Sequence, residues 1–249
     1  VIQHDLTADS NIYASLSEGF KAGGYATYEC TEPYDPEEVT SLEFGFKGSL
    51  GQNTSLNASL FRYDYTDFQV LQVVGIQTVT RNAGDATVNG LELEALTNVS
   101  DSLTLNYGVT LLDATYGDFL NTNGLEPQLG VQQLEGNYLS NAPKVSVNFG
   151  LNYTNILSSG SSLTYRANAA YKSKIYFSEF NEYSQDAYTI VDLNLIWESA
   201  DETFRSRFFI KNATDEEYIS GYLSSATGGG RFGQWGYPRT AGIEIQRNF

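Results

Sequence analysis

The chain of 249 residues has no methionine, one cysteine, one histidine, two tryptophans and five prolines. Cys30 has no internal disulfide partner, so a bridge would need a cysteine outside these residues; a free thiol is the simpler expectation. With His4 as the sole histidine, a multi-histidine metal site or a His-based triad is hard to build. No run of about 18 apolar residues occurs, which excludes a transmembrane helix but not membrane-crossing strands. Basic residues are scarce: 14 Lys and Arg against 30 Asp and Glu give a net charge of −16. A nucleic-acid binder needs the opposite balance. Calcium or a cationic ligand suits the acid excess better, although such excess often serves only solubility. The opening VIQHDLTADS lacks the charged-then-apolar pattern of a signal peptide. The expectation is a removed leader or a larger upstream part.

What the chain does have is 18 Tyr, 14 Phe and 23 Gly, with 41% hydrophobic residues. That composition favours strands and turns. Period-two alternation recurs throughout, and helical periodicity almost nowhere. In residues 144–154 Val145, Val147, Phe149, Leu151 and Tyr153 alternate with Ser146, Asn148, Gly150 and Asn152. Similar patterns predict ten strands, at 10–20, 38–50, 54–66, 87–98, 102–113, 144–155, 162–173, 187–199, 203–212 and 239–249. Within 54–66 the apolar parity switches between Leu60 and Phe61, which predicts a bulge or a change of surroundings. Residues 69–81 read as an extra hairpin above the sheet.

Between these strands, short links at 51–53, 99–101, 156–161 and 200–202 alternate with long ones at 21–37, 67–86, 114–143, 174–186 and 213–238. An antiparallel meander with tight turns at one end and long loops at the other gives this pattern, as in outer-membrane barrels. Acid follows the same asymmetry. Segments 21–37, 67–86, 114–142, 174–187 and 212–238 carry −3, −1, −3, −2 and −2, together −11 of the −16.

The alternating strands would suit a soluble sandwich or a membrane barrel. Their polar face holds mostly Ser, Asn, Thr and Gly, with Glu43 and Lys47, and Arg166 and Lys172 against Glu92 and Glu94. That suits a wet lumen. The expected strands exceed the roughly 5–6 residues of globular sheets and match the roughly 9–11 needed to cross a membrane. Tyr13, Phe20, Tyr153 and Trp197 at strand ends suggest an interfacial aromatic girdle. The reading is an all-β, antiparallel transmembrane β-barrel meander, with its apolar side in lipid.

Five stretches then resemble the C-terminal barrel of TonB-dependent outer-membrane receptors. They are NIYASLSEGFKAGGY (11–25), PEEVTSLEFGFKGSL (36–50), TRNAGDATVNGLELEA (80–95), FIKNATDEEY (209–218) and GYPRTAGIEIQRNF (236–249), in the family's order. The resemblance implies about ten strands of a 22-stranded barrel, with plug domain and N-terminal strands lying outside this chain. It implies TonB-driven uptake of a scarce ligand, a ferric siderophore first among candidates. Its partners would be the TonB complex acting through the plug, outer-membrane lipids and the barrel-assembly machinery. Phe249 would be the terminal aromatic read by that machinery, although Arg247 departs from the apolar residue usual two places earlier.

Ligand contacts are expected from loop aromatics and one arginine: Tyr25, Tyr28, Tyr116, Tyr138, Phe180, Tyr222, Arg231 and Trp235. Their rings would stack on a planar chelate and the guanidinium would pair with its charge. The plainer reading is that each packs a loop or meets lipid headgroups. Asp113 with Glu126, or Asp215 with Glu216 and Glu217, has the oxygens calcium needs, yet reads first as solvated loop acid. The five Asn-x-Ser/Thr matches, in lumen-face and turn composition, are ascribed to chance. The segment 228–236, GGGRFGQWG, opens no helix and is a loop, not a phosphate cradle. No nucleophile–base pair, cofactor site or enzyme motif stands out. A passive ten-stranded pore or adhesin, and an outer-membrane hydrolase, are the competing readings.

Overall fold

The computed structural model describes residues 1–26, 29–74, 77–225 and 230–248. Its strands in chain order begin with β1 (Ile2–Thr7), β2 (Ser10–Lys21), β3 (Gly24–Ala26), β4 (Glu29–Tyr34), β5 (Glu37–Leu50), β6 (Thr54–Thr66) and β7 (Gln69–Val74). They continue with β8 (Gln77–Asn82), β9 (Ala86–Ser100), β10 (Leu103–Tyr116), β11 (Leu120–Thr122), β12 (Val131–Gln133), β13 (Val145–Ile156) and β14 (Ser162–Lys172). The last are β15 (Ile175–Tyr176), β16 (Ser184–Gln185), β17 (Tyr188–Glu198), β18 (Phe204–Lys211), β19 (Ile219–Ser225), β20 (Gly230–Trp235) and β21 (Thr240–Arg247).

Eleven of these form one antiparallel meander, β1-β2-β5-β6-β9-β10-β13-β14-β17-β18-β21. The ten expected strands are all present. The eleventh, β1, is short, and its pairing to β2 is irregular between Asp5 and Thr7, so its alternation is brief. Each long loop carries a two-stranded hairpin: β3–β4, β7–β8, β11–β12, β15–β16 and β19–β20. Only β7–β8 was expected.

Register sets the two faces. Ile12 pairs with Phe46, Phe46 with Ala58 and Ala58 with Leu93, in one apolar row. The next row inward along the strands pairs Tyr13 with Gly45, Gly45 with Ser59 and Ser59 with Glu92. Further round, Asn152 pairs with Arg166 and Arg166 with Asn194. The apolar face stays uncovered: Phe44, Leu60, Phe149, Leu193, Phe208 and Ile245 are all exposed. Val145 to Tyr153 on β13 spans about 27 Å of strand at about 3.4 Å per residue, which at a tilt of about 35–45° rises about 19–22 Å and covers most of the about 25 Å apolar band of a barrel.

The wall decides between the two readings of β6, and it departs from expectation at Tyr13 and in its lumenal charges. The parity switch in β6 is not a bulge, because its register with β5 and β9 is continuous. Instead Arg62 and Asp64 follow Leu60 on the outer face and pair at 2.7 Å. The apolar face ends there, while Phe61 and Tyr63 stack at 4.8 Å on the inner side. Tyr13 is not a girdle residue either. It lies in the polar row, hydrogen-bonds Glu43 and carries Lys47 over its ring at 5.2 Å. Tyr153 and Trp197 do sit on the outer face near the tight turns, joined by Tyr165, which was not expected there, and by Phe204, over which Arg247 lies at 5.4 Å. The lumenal charges also pair differently from the sequence expectation: Arg166 donates to Asn152 at 2.9 Å rather than meeting Glu92 or Glu94. Phe249 lies outside the described residues.

Candidate ligand site in the long loops

The long loops join into a cap. In the first two, the Gln69 amide donates to the carbonyls of Ala22 (3.1 Å) and Asp35 (3.0 Å), and its N–H donates to Glu37 (2.7 Å). Asn82 accepts from the Asp35 N–H at 2.7 Å and donates to the Asp67 carbonyl at 2.7 Å. Ala83 then enters a buried cluster with Tyr116, Phe119 and Leu134, against which Phe68, Val70, Leu139 and Phe180 pack. Gly84 has φ +85 and faces the Asp118 carbonyl so closely that a Cβ could not fit. The Asn-Ala-Gly stretch is thus a bond donor, a core residue and a close approach in succession.

The fourth loop is bonded to the third. Asn121 donates to Glu179 at 3.1 Å, Asn123 donates to Glu182 at 2.8 Å, and the Tyr138 N–H donates to Asn181 at 2.8 Å. The fifth joins through the Ile219 N–H, which donates to Gln185 at 2.8 Å. Its two ends are tied by Asn212, a buried residue at φ +47. Asn212 donates to the carbonyls of Glu216 (2.9 Å) and Tyr237 (3.1 Å). Asp215 accepts from the Arg239 N–H at 2.9 Å, so the Asn-x-x-Asp and Pro-Arg stretches meet.

Aromatic side chains gather where the third, fourth and fifth loops join. Tyr222 stacks on Phe177 at 5.7 Å and on Tyr183 at 5.3 Å. The Arg231 guanidinium lies 4.1 Å over the Tyr183 ring. Arg231 also reaches Glu126 at 2.8 Å and Glu182 at 3.6 Å. A second stack, Tyr138 on Tyr176 at 5.8 Å, has Lys144 over one ring at 4.0 Å and Lys174 over the other at 5.1 Å. The charge environment follows. Burial pushes the Glu179 carboxyl up, partly countered by hydrogen bonds including that from Asn121. Burial likewise raises the Tyr222 hydroxyl. The bond to Glu126 is the main cause holding Arg231 more firmly protonated.

The expected contacts therefore divide. Tyr222 and Arg231 come together, and Tyr138 sits in the neighbouring stack. Trp235, 67% exposed, is on β20 opposite Ile219, and Tyr25, 61% exposed, is on β3. Tyr116 is buried in the core of the cap, and Phe180, half-buried, packs against that core. Tyr28 lies outside the described residues. Phe177, Tyr183, Glu126 and Glu182 complete the site without having been expected in it. The signal for Phe177, Glu182 and Tyr183 was the density of aromatics and acids in IYFSEFNEY, 175–183. Glu126 and Asp215, weighed for calcium, are instead ion-paired with Arg231 and Arg239. Among the described residues no three of His, Cys, Asp and Glu gather as a metal site.

A meander with a bare apolar outer face, a polar inner face, tight turns at one end and a bonded cap at the other is part of an outer-membrane barrel wall. The chain belongs to the family described as TonB dependent receptor-like, beta-barrel, whose model matches residues 2–213. Among curated relatives, a probable TonB-dependent siderophore receptor, PiuA, of Acinetobacter baumannii is 28% identical over 75% of this chain and 24% of its own length. The pesticin receptor of Yersinia enterocolitica is 25% identical over 98% of this chain and 34% of its own. Among solved structures, the ferric yersiniabactin uptake receptor FyuA of Yersinia pestis superposes with TM-score 0.82 at 22% identity, over 99% of this chain and 36% of that one. The chain thus spans about a quarter to a third of the curated relatives it matches.

Proposed function

We propose that this chain is the C-terminal barrel portion of a larger receptor, completed by a plug domain and further strands. The receptor takes up a ferric siderophore across the outer membrane, driven by TonB through the plug. The observation that carries the reading is the pairing of a wall whose apolar outer face is bare with a cap in which the five long loops are bonded together at one end. The names of two relatives, a probable siderophore receptor and a ferric yersiniabactin uptake receptor, support the siderophore reading. Tyr222, Tyr138, Tyr25 and Trp235 offer ring faces or exposed edges to a chelate. Arg231 contributes together with the two carboxylates already on it.

A passive pore made by this chain alone fits less well. Among the described residues β1 and β21 are the free edges of an eleven-stranded meander. With an odd count they run in the same direction, so closing them would need a parallel pair. The test is uptake of iron-55 chelates by an iron-starved strain whose only siderophore receptor is the full-length gene product. Accumulation should require both TonB and the proton gradient. Accumulation that persists without either would replace the energised receptor with the pore.

A further inference from the structure

Three loops meet at one guanidinium. Arg231 stands on β20, Glu126 on the third loop, and Glu182 and Tyr183 on the fourth. Glu182 also accepts from Asn123 at 2.8 Å, so its position does not depend on Arg231 alone. Tyr183 is backed by Tyr222, which in turn is backed by Phe177. Tyr222 and Arg231 lie on the same face of the β19–β20 hairpin, since Tyr222 pairs with Gly233 and Ser224 with Arg231. A supported ring face flanked by two carboxylates is a recognition site for an organic cation. The two carboxylates carry one charge more than Arg231 cancels. The acid excess of the loops adds to the same field, which attracts cations and repels polyanionic chelates.

We propose that Glu126, Glu182 and Tyr183 form a cage for a cationic group, that Arg231 fills it as an internal occupant, and that an ammonium or guanidinium group on the incoming ligand displaces Arg231. The inference rests on the ligand-capture reading above and narrows it to chelates bearing a positively charged arm. Displacement would cut the fifth loop's ionic tie to the third and fourth, leaving the bond from Ile219 to Gln185 as a hinge. Arg231 competes as a tethered group, at an effective concentration on the order of millimolar. A small free cation therefore loses to it, while a chelate with ring contacts as well can win.

The test uses the purified full-length receptor and two probes of nearly the same shape, N-acetyl-arginine amide (charged) and N-acetyl-citrulline amide (neutral), in low-salt calorimetric titrations. Arg231→Ala should bind the charged probe at least about tenfold more tightly than the neutral one. The wild type should show a smaller preference. Adding Glu126→Gln and Glu182→Gln to Arg231→Ala should abolish it. Arg231→Gln, which keeps a polar side chain on the hairpin, should behave as Arg231→Ala does and guards against a misfolded variant. Equal binding of both probes by Arg231→Ala and Arg231→Gln would overturn the proposal, as would a preference that survives both Glu→Gln changes. The probes need neither iron nor TonB. A cage that works in a receptor without energised uptake would sink the uptake reading alone, and the reverse result would sink the cage alone.

Discussion

The wall and the cap solve opposite packing problems with one chain. In the wall, large apolar side chains such as Phe44, Phe149 and Ile245 are exposed, and order comes from the strand ladder. In the cap, Phe119, Leu134 and Val79 are the most deeply buried large side chains among the described residues. A water-soluble protein would place its strands' apolar face inside and its loops outside. In an outer-membrane barrel the apolar solvent is lipid, and strands in such a wall need no interior of their own. The loops stand in water and must build a conventional core to hold a defined mouth.

That contrast can be broken at chosen positions. Among truncations the largest effect is expected at Phe119. Phe119→Ala should cost about 3–5 kcal/mol of cap stability, because a cavity adds to the lost transfer energy. Hydrogen exchange should localise the loss to the second to fourth loops. Phe149→Ala should cost only the transfer term, about 1.5–3 kcal/mol, since lipid fills the space. Phe149→Arg should cost about 2–4 kcal/mol relative to alanine near the bilayer centre. Both are read from reversible unfolding in vesicles. Next comes Asn212→Ala, which removes two donated bonds and one accepted from the Glu216 N–H, and should cost about 1–3 kcal/mol. Protease sensitivity should rise in the fifth loop alone.

Smaller effects are electrostatic. Folding raises the Glu179 carboxyl above its ordinary value, so the folded cap holds that proton more tightly than the unfolded chain. The group's stabilising share is full below the unfolded value and is lost as pH rises through the folded one. Glu179→Gln should therefore stabilise the cap at neutral pH and flatten its pH dependence, as melting of the two proteins at pH 5 and 7.5 would show. Smallest is Asp201, in the tight turn after β17, where bonds from Ser199 and Thr203 bring its carboxyl down to about 2. Its contribution is present above the ordinary carboxylate value and fades as pH falls towards about 2. Asp201→Asn should remove that acid sensitivity from the wall and leave the cap unchanged.

The wall was legible because period-two alternation is written in most of its strands, β1 excepted, and because short and long links alternate. What periodicity could not give was the level at which the outer face leaves the lipid. Leu60 and Arg62 share a parity, and only the Arg62–Asp64 pair marks the end of the apolar face. Tyr13 was misjudged for a related reason: nearness to a strand end does not say which face a residue occupies. The cap was largely illegible because its contacts join residues far apart in sequence, such as Gln69 with Ala22 or Arg231 with Glu126. The family-like motifs could be seen but not their work. Asn82 and Asn212 prove to be loop fasteners, and Asp215 meets Arg239 across the ends of the fifth loop. Tyr116 and Phe180 look like exposed loop aromatics in a linear reading, yet in space Tyr116 is a core residue and Phe180 packs against that core.

The claim that most needs a direct test is that the outer face of the meander meets lipid. Spin labels placed one at a time at cysteine substitutions along residues 145–152 of the full receptor in vesicles would report it, through relaxation by oxygen and by a polar nickel chelate. Labels at 145, 147, 149 and 151 should be open to oxygen and shielded from nickel, and those at 146, 148, 150 and 152 should lack that lipid signature. A reversed alternation, or none, would contradict the account.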